Sequence, residues 1–162
     1  MPAQDNPAAR LGAALGVLAN AGRDKLTLTM DSEIASLGLW IEQLVAESTG
    51  KEGKGIVPVV GEPLAEPALY GNDQVFLHIG VGAVDAETES QLQALEAAGH
   101  PVIRRTLTSS LDLGEEFYVW EMATAIAGAV LEINPFDQPN VQESKDNTKT
   151  LLEEFKQNGK LS

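Results

Sequence analysis

Four short runs rich in β-branched and apolar residues recur along the chain, separated by segments of helical periodicity. That alternation restricts the fold more than any other feature. Lys25–Met30 alternates as a strand does, and residues 56–60, 74–80 and 101–107 read as three more strands. Pro58 places the second near an edge or a bulge, because proline cannot donate to a ladder. Asn6-Pro7 is an N-cap followed by proline at the first helical position. It opens a helix over 8–21 with Leu11, Leu15 and Leu18 on one face. Gly12 and Gly16 inside it suit close packing on a sheet. Asp31-Ser32 is expected to cap a helix over 33–47, whose Ile34, Leu37, Ile41, Leu44 and Val45 keep the 3.6-residue repeat. A helix over 87–98 stops at Gly99. Another, over 113–131, turns Phe117, Trp120, Thr124, Ala127, Gly128 and Leu131 inward, and Trp40, Trp120 and Phe117 read as core. Strands alternating with helices of this length imply βαβ units and a mainly parallel sheet covered on both faces, a three-layer α/β/α sandwich. In such sheets ligands bind beyond the C-terminal strand ends.

One domain accommodates all 162 residues, and 43% hydrophobic content supplies its core. The absence of cysteine removes disulfides and thiolate metal sites and suits a reducing cytoplasm. No apolar run reaches the ~20 residues a membrane helix needs, and the first residues lack the pattern of a signal peptide. A net charge of −13 argues against nucleic acid and anionic membranes as partners. It also fits poorly with a phosphorylated substrate unless the phosphate site is local or supplied by another segment. There is no GxGxxG fingerprint or P-loop to hold a nucleotide.

Two stretches could carry chemistry. The first is Glu47-Ser48-Thr49-Gly50-Lys51, at the end of the second helix. A helix dipole disfavours a carboxylate at this end and so makes Glu47 a stronger base. The plain alternative is a surface glutamate beside a flexible loop. Lys51 and Lys54, among glycines, could attract phosphate, but with no helix N-terminus behind them they read as part of a solvated loop. The second stretch is 133–145, Ile-Asn-Pro-Phe-Asp-Gln-Pro-Asn-Val-Gln-Glu-Ser-Lys. Pro135 and Pro139 stop the preceding helix. Asn140 with Glu143 forms a capping box for a helix over 141–157. Gln138 stands just ahead of that helix and Lys145 in its second turn, while Leu151, Leu152 and Phe155 are expected to pack inward. A plain loop–helix junction with a solvated lysine is the alternative. Thr106, Thr108, Ser109 and Ser110 follow a strand and form a lesser candidate for an anion site. Arg104 and Arg105 should meet nearby acids.

Both stretches resemble signatures of the glucose-6-phosphate isomerase family, in the family's order and nearly a hundred residues apart. Residues 47–51 are similar to its ES-x-GK segment, and 35–44 resemble what precedes it. Residues 133–145 resemble the NPFDQ-type loop that leads to the active-site lysine. The wording Pro139-Asn140-Val141-Gln142-Glu143-Ser144-Lys145 is most similar to the isomerase part of bifunctional transaldolase/glucose-6-phosphate isomerase. The single-function enzymes carry Gly-Val-Glu where this chain has Asn140-Val141-Gln142. The resemblance implies a flavodoxin-like sugar-isomerase (SIS) domain spanning 1–162, the second of the two such domains in these enzymes. It implies Glu47 as the base that moves a proton between C1 and C2 of the open-chain sugar. Lys145 would assist ring opening beside the sugar oxygens, and Gln138 would be a pocket residue. No metal or other cofactor is implied. The family also uses a ring-opening histidine. Only His78 and His100 are available here, neither in a matching segment, and His78 is the nominal candidate for a catalytic role.

The serine- and threonine-rich phosphate loop of the first SIS domain has no counterpart here, nor does the glycine-rich segment with its arginine. The chain therefore reads as a C-terminal isomerase domain, incomplete by itself. Its expected partners are the first SIS domain, a sugar phosphate and, in the full-length protein, further copies. The alternatives are a non-catalytic sugar-phosphate-binding module and a dimerisation module.

Overall fold

The computed structural model describes residues 2–160. Strand β1, Lys25–Met30, lies inside a four-stranded sheet with β2 (Val57–Val60) on one side and β3 (Gln74–Val81) on the other; β4 (Val102–Leu107) closes the far edge. All three pairings are parallel, with Lys25 level with both Val57 and Gln74, and Phe76 level with Val102. Pro58 falls on the edge strand β2, as its missing N–H requires.

Five helices accompany the sheet: α1 (Pro7–Asn20), α2 (Ser36–Thr49), α3 (Ala86–Ala97), α4 (Leu113–Leu131) and α5 (Pro139–Asn158). Successive side chains of a strand leave on opposite faces, and β4 shows which helix lies where. Arg104 reaches Glu89 and Glu96 of α3, whereas Arg105 grips Glu116 of α4. α3 therefore covers one face, and α1, α2 and α4 cover the other. Leu26, Leu28, Val75, Leu77 and Ile79 meet Leu11, Leu15, Ile41, Val45, Val119 and Trp120 in the main core. The α3 face is thinner. The β2–β3 connection there is not a helix but a proline-bearing loop, whose Tyr70 ring stands edge-on to Phe76 at 4.8 Å. The α/β class expected from the alternation is the fold the structure has.

Several local expectations are corrected. Gly12 and Gly16 approach α4, not the sheet: a Cβ on Gly12 would collide with the Ala123 carbonyl oxygen, and one on Gly16 would fall 2.7 Å from Val130 Cβ. Asp31 does not cap a long helix. A separate 3₁₀ turn, Ser32–Ile34, comes first, and Asp31 Oδ2 accepts from the Val81 amide at 2.7 Å. Phe117 is 40% exposed and meets the half-buried Trp40 edge-on at 4.5 Å, so only Trp120 of the three is true core. Helix α5 starts at Pro139 with Gln138 at its N-cap position; the Asn140 side chain, on which the expected capping box rests, lies outside the described residues. Leu151, Leu152 and Phe155 remain 48%, 53% and 52% exposed, because α5 projects from the sandwich and nothing within the described chain covers it.

Gly12→Ala is expected to destabilise the fold by about 1–3 kcal/mol through overpacking against α4 backbone that cannot yield cheaply. Urea denaturation of the variant beside the parent measures this.

Candidate functional site

Helix α2 starts at the C-terminal end of β1 and runs back, so its last turn arrives at the N-terminal edge of the sheet. Thr49 fixes that turn: its hydroxyl donates to the Val45 carbonyl at 2.8 Å and accepts from the Ile56 amide at 2.9 Å. Glu47 lies within this last turn, two residues before its end, and is exposed. The chain then doubles back through Glu52 and Gly53, both at positive φ, in a narrow loop bridged between Lys51 and Lys54. Residues 52–54 are exposed, as a solvated loop requires, but Lys51 is not. Lys51 is buried, and its ammonium donates to the Asn134 carbonyl at 2.8 Å, the Asp137 carbonyl and Asp137 Oδ1 at 2.9 Å. Lys54 donates to the Leu131 carbonyl at 2.6 Å, at the C-terminal end of α4 where carbonyls lack helical partners. Neither ammonium points to an anion site.

The segment held by these lysines is 132–138. Glu132 takes the left-handed conformation that ends α4, Pro135 packs on Gly128, and Asn134 Oδ1 accepts from the Phe136 amide at 3.1 Å. Gln138 is thereby set opposite Glu47. They share a cavity of about 260 Å³ with Lys51, Pro139 and Val141. A neighbouring hollow of about 330 Å³ contains Gln138, Asp137, Gln142 and Lys145. Gln138 thus lines both, with Glu47 on one side and Lys145 on the other. Sequence reasoning missed Lys51 and Asp137 as the organisers of this site. Their partnership is long-range, and the glycines around Lys51 signal only a tight turn. Glu47 and Gln138 lie at the end of the sheet opposite the C-terminal strand ends, where ligands were expected to bind.

His78 belongs elsewhere. It is buried on β3, its Nδ1 3.0 Å from Thr29 Oγ1, and it lines a cleft of about 850 Å³ at the C-terminal strand ends together with Asp31 and Asp85. Within one chain the structure does not bring it to Glu47. Burial lowers its pKa from the usual value, only partly opposed by Asp31. His100 is buried against Phe76 and Tyr70, a packing role. The hydroxyl-bearing segment after β4 is occupied by the protein itself: Asp112 Oδ2 accepts from the amides of Thr108 and Ser109, filling the place an anion would take. Among the described residues no helix is long and apolar enough to cross a membrane, and no group of three histidine, aspartate or glutamate side chains could hold a metal.

This is a parallel α/β fold of the flavodoxin-like kind, with two signature segments meeting at one sheet edge. A structure from Thermus thermophilus described as a hypothetical protein matches it with a TM-score of 0.72 at 22% identity, over 90% of this chain and 45% of that one. The structure of a glucose-6-phosphate isomerase from Chlamydia trachomatis matches with a TM-score of 0.60 at 15% identity, over 93% and 39%. In sequence, the chain is homologous to curated glucose-6-phosphate isomerases. It is 29% identical over 175 residues to that of Rubrobacter xylanophilus (83% of this chain, 40% of that protein). It is 28% identical over 188 residues to that of Clostridium tetani (92% and 42%). A probable glucose-6-phosphate isomerase of Methanococcus maripaludis is 31% identical over 144 residues (69% and 33%). No family model matches. The chain thus spans about two fifths of the length of the Rubrobacter and Clostridium enzymes.

Two outcomes follow. Lys51→Met should cost about 1–3 kcal/mol, since it removes a buried ammonium and its three hydrogen bonds to the 134–137 loop, and should speed amide hydrogen exchange across 134–138 ahead of the rest of the fold. His78, neutral in the fold, makes the protein acid-sensitive. Below the unfolded value of about 6.5 the unfolded chain binds a proton that the folded ring does not, so stability falls as pH drops through that value toward the lower folded one. Denaturation at stepped pH should show that slope, reduced in His78→Asn.

Proposed function

We propose that this chain is the C-terminal SIS domain of a glucose-6-phosphate isomerase, interconverting glucose 6-phosphate and fructose 6-phosphate as part of a longer protein. The observation that carries the reading is the shared cavity of Glu47 and Gln138, with Lys145 next to it on the far side of Gln138. The homology to curated isomerases supports it. In this mechanism the Glu47 carboxylate removes the proton from C2 of the open-chain aldose. The electrons flow to the C1 oxygen to give a cis-enediolate, the O2 hydroxyl proton passes to O1, and the protonated Glu47 returns its proton to C1 as the C2 carbonyl forms. The Lys145 ammonium stabilises the oxyanion, and Gln138 orients the hydroxyls between them. Ring opening is not assigned to His78, which lines a different cleft.

The half-site is open, and the rest of the longer protein is its natural cover. Val141, Lys145, Leu152 and Phe155 share one helical face of α5 by their three- and four-residue spacing. A domain seated on that stripe encloses Lys145 and supplies the phosphate-binding group this acidic chain lacks. A non-catalytic sugar-phosphate-binding or dimerisation module is the competing reading.

Glu47→Gln decides between them. In the longest natural chain containing this segment, conversion of fructose 6-phosphate to glucose 6-phosphate should fall by about 10²–10⁴-fold, the usual contribution of a positioned general base, with the circular dichroism spectrum unchanged. A parent whose activity is indifferent to the substitution overturns the mechanism.

A further inference from the structure

The sheet has two edges, and the chain treats them differently. β2 is four residues long and carries Pro58, which has no N–H to offer a further strand. β4 is six residues long, without proline or lysine, and its one-to-one register with β3 leaves no bulge. Its two arginines do not blunt the edge, because Arg104 is bound to Glu89 and Glu96 on one face and Arg105 to Glu116 on the other. The hydrogen bonds to β3 show which backbone groups are free. The Phe76 amide donates to the Pro101 carbonyl at 2.9 Å, and the Gly82 amide to the Leu107 carbonyl at 2.8 Å. In a parallel strand the backbone groups of alternate residues turn to the same side. Residues 101, 103, 105 and 107 therefore face β3, and the N–H and C=O groups of Val102, Arg104 and Thr106 face outward. Among the described residues those outward groups have no partner.

A second observation is independent of the backbone. A groove of about 360 Å³ lies between β4 and the first turns of α1. Leu11, Ala14 and Ile103 are among its apolar lining, and Arg10, Arg104 and Arg105 are its charges; no acidic residue lines it. Arg104 and Arg105 already have their glutamates. The Arg10 guanidinium is exposed and has no partner among the described residues. In a chain of net charge −13, this groove is complementary to a carboxylate from outside.

We propose that an extended segment of the longer protein, carrying a carboxylate, pairs with β4 as a further strand of the sheet. Its backbone bonds to Val102, Arg104 and Thr106, and its carboxylate meets Arg10. A strand added to an open edge takes its affinity from main-chain hydrogen bonds and its specificity from alternate side chains. Those side chains fall on the α1 face, where the groove lies, at every second residue. The occupant is a permanent one, because an unshielded edge pairs with whatever strand it meets; a segment of the same protein is always at hand. A second copy of β4 fits less well, since Val-Ile-Arg-Arg-Thr-Leu brings arginine to the groove and no acid. The inference rests on the reading of this chain as part of a longer protein, and not on the role of Glu47.

Amide hydrogen exchange resolved to single residues, in the longest natural chain containing this segment, tests the proposal. The amides of Ile103, Arg105 and Leu107, bonded to β3, are the internal control. Those of Val102, Arg104 and Thr106 should exchange as slowly as the control, about 10²-fold or more below the rate of an unpaired amide, and dilution should not change this. Arg10→Glu, in the first turn of α1 where an acid is tolerated, should speed the three outward amides about tenfold and leave the control amides slow. Thr106→Pro removes an outward N–H without touching the β3 ladder, and should expose Val102 and Arg104 alone. Fast outward amides beside slow control amides overturn the proposal. Protection lost on dilution overturns it in favour of a second copy, and protection that survives Arg10→Glu removes the acidic segment. A parent whose activity depends on Glu47 but whose β4 edge is open overturns this inference only; a protected edge in a parent indifferent to Glu47→Gln overturns only the mechanism.

Discussion

One buried ammonium ties the two ends of the candidate site together. Lys51 follows α2 and the loop it holds precedes α5, so no local rule relates them. Its three acceptors, the carbonyls of Asn134 and Asp137 and the Asp137 carboxylate, fix the path of the chain between the two helices. A lysine stem buried on apolar surface with its charge fully hydrogen-bonded is tolerable; an unpaired one is not. The contact is therefore nearly obligatory once the loop closes. Glu47 and Gln138 face the same cavity because of it.

The sandwich behind this edge rests on close backbone approach. Gly12 and Gly16 let α1 lie against Ala123, Ala127 and Val130 of α4, and this paired layer presents a continuous apolar surface to the sheet. Arg104 and Arg105, adjacent in sequence, send their charges to opposite layers. Glu116 is buried, yet its carboxylate is matched by the forked donor of Arg105. The opposite layer, a single helix and a loop, leaves room for the acidic cleft. The molecule thus has one end of the sheet organised by Lys51 and an anionic cleft around Asp31 and Asp85 at the other.

Much of this was legible residue by residue. The strands came from alternation, the N-cap at Asn6 from its pairing with Pro7, and the edge position of β2 from Pro58. Glu47, Gln138 and Lys145 were candidates because their segments resemble family signatures, and the fold sets them around Gln138. Periodicity misled where it was read as burial. Leu151, Leu152 and Phe155 keep helical spacing yet stay exposed, since a stripe says that a partner is needed and not that the chain contains it. Glycines inside α1 signalled close approach without saying to what.

The sequence by itself determined the α/β class, the order and limits of most elements, and the residue types able to move a proton. These depend on local backbone preference and short-range periodicity, which a single chain displays openly. Only the tertiary structure decided that Lys51 is buried rather than solvated and that Glu47 and His78 lie at opposite ends of the sheet. Those outcomes depend on which distant backbone carbonyls and carboxylates meet a given side chain. Desolvation makes such meetings decisive, and nothing in the neighbouring residues encodes them.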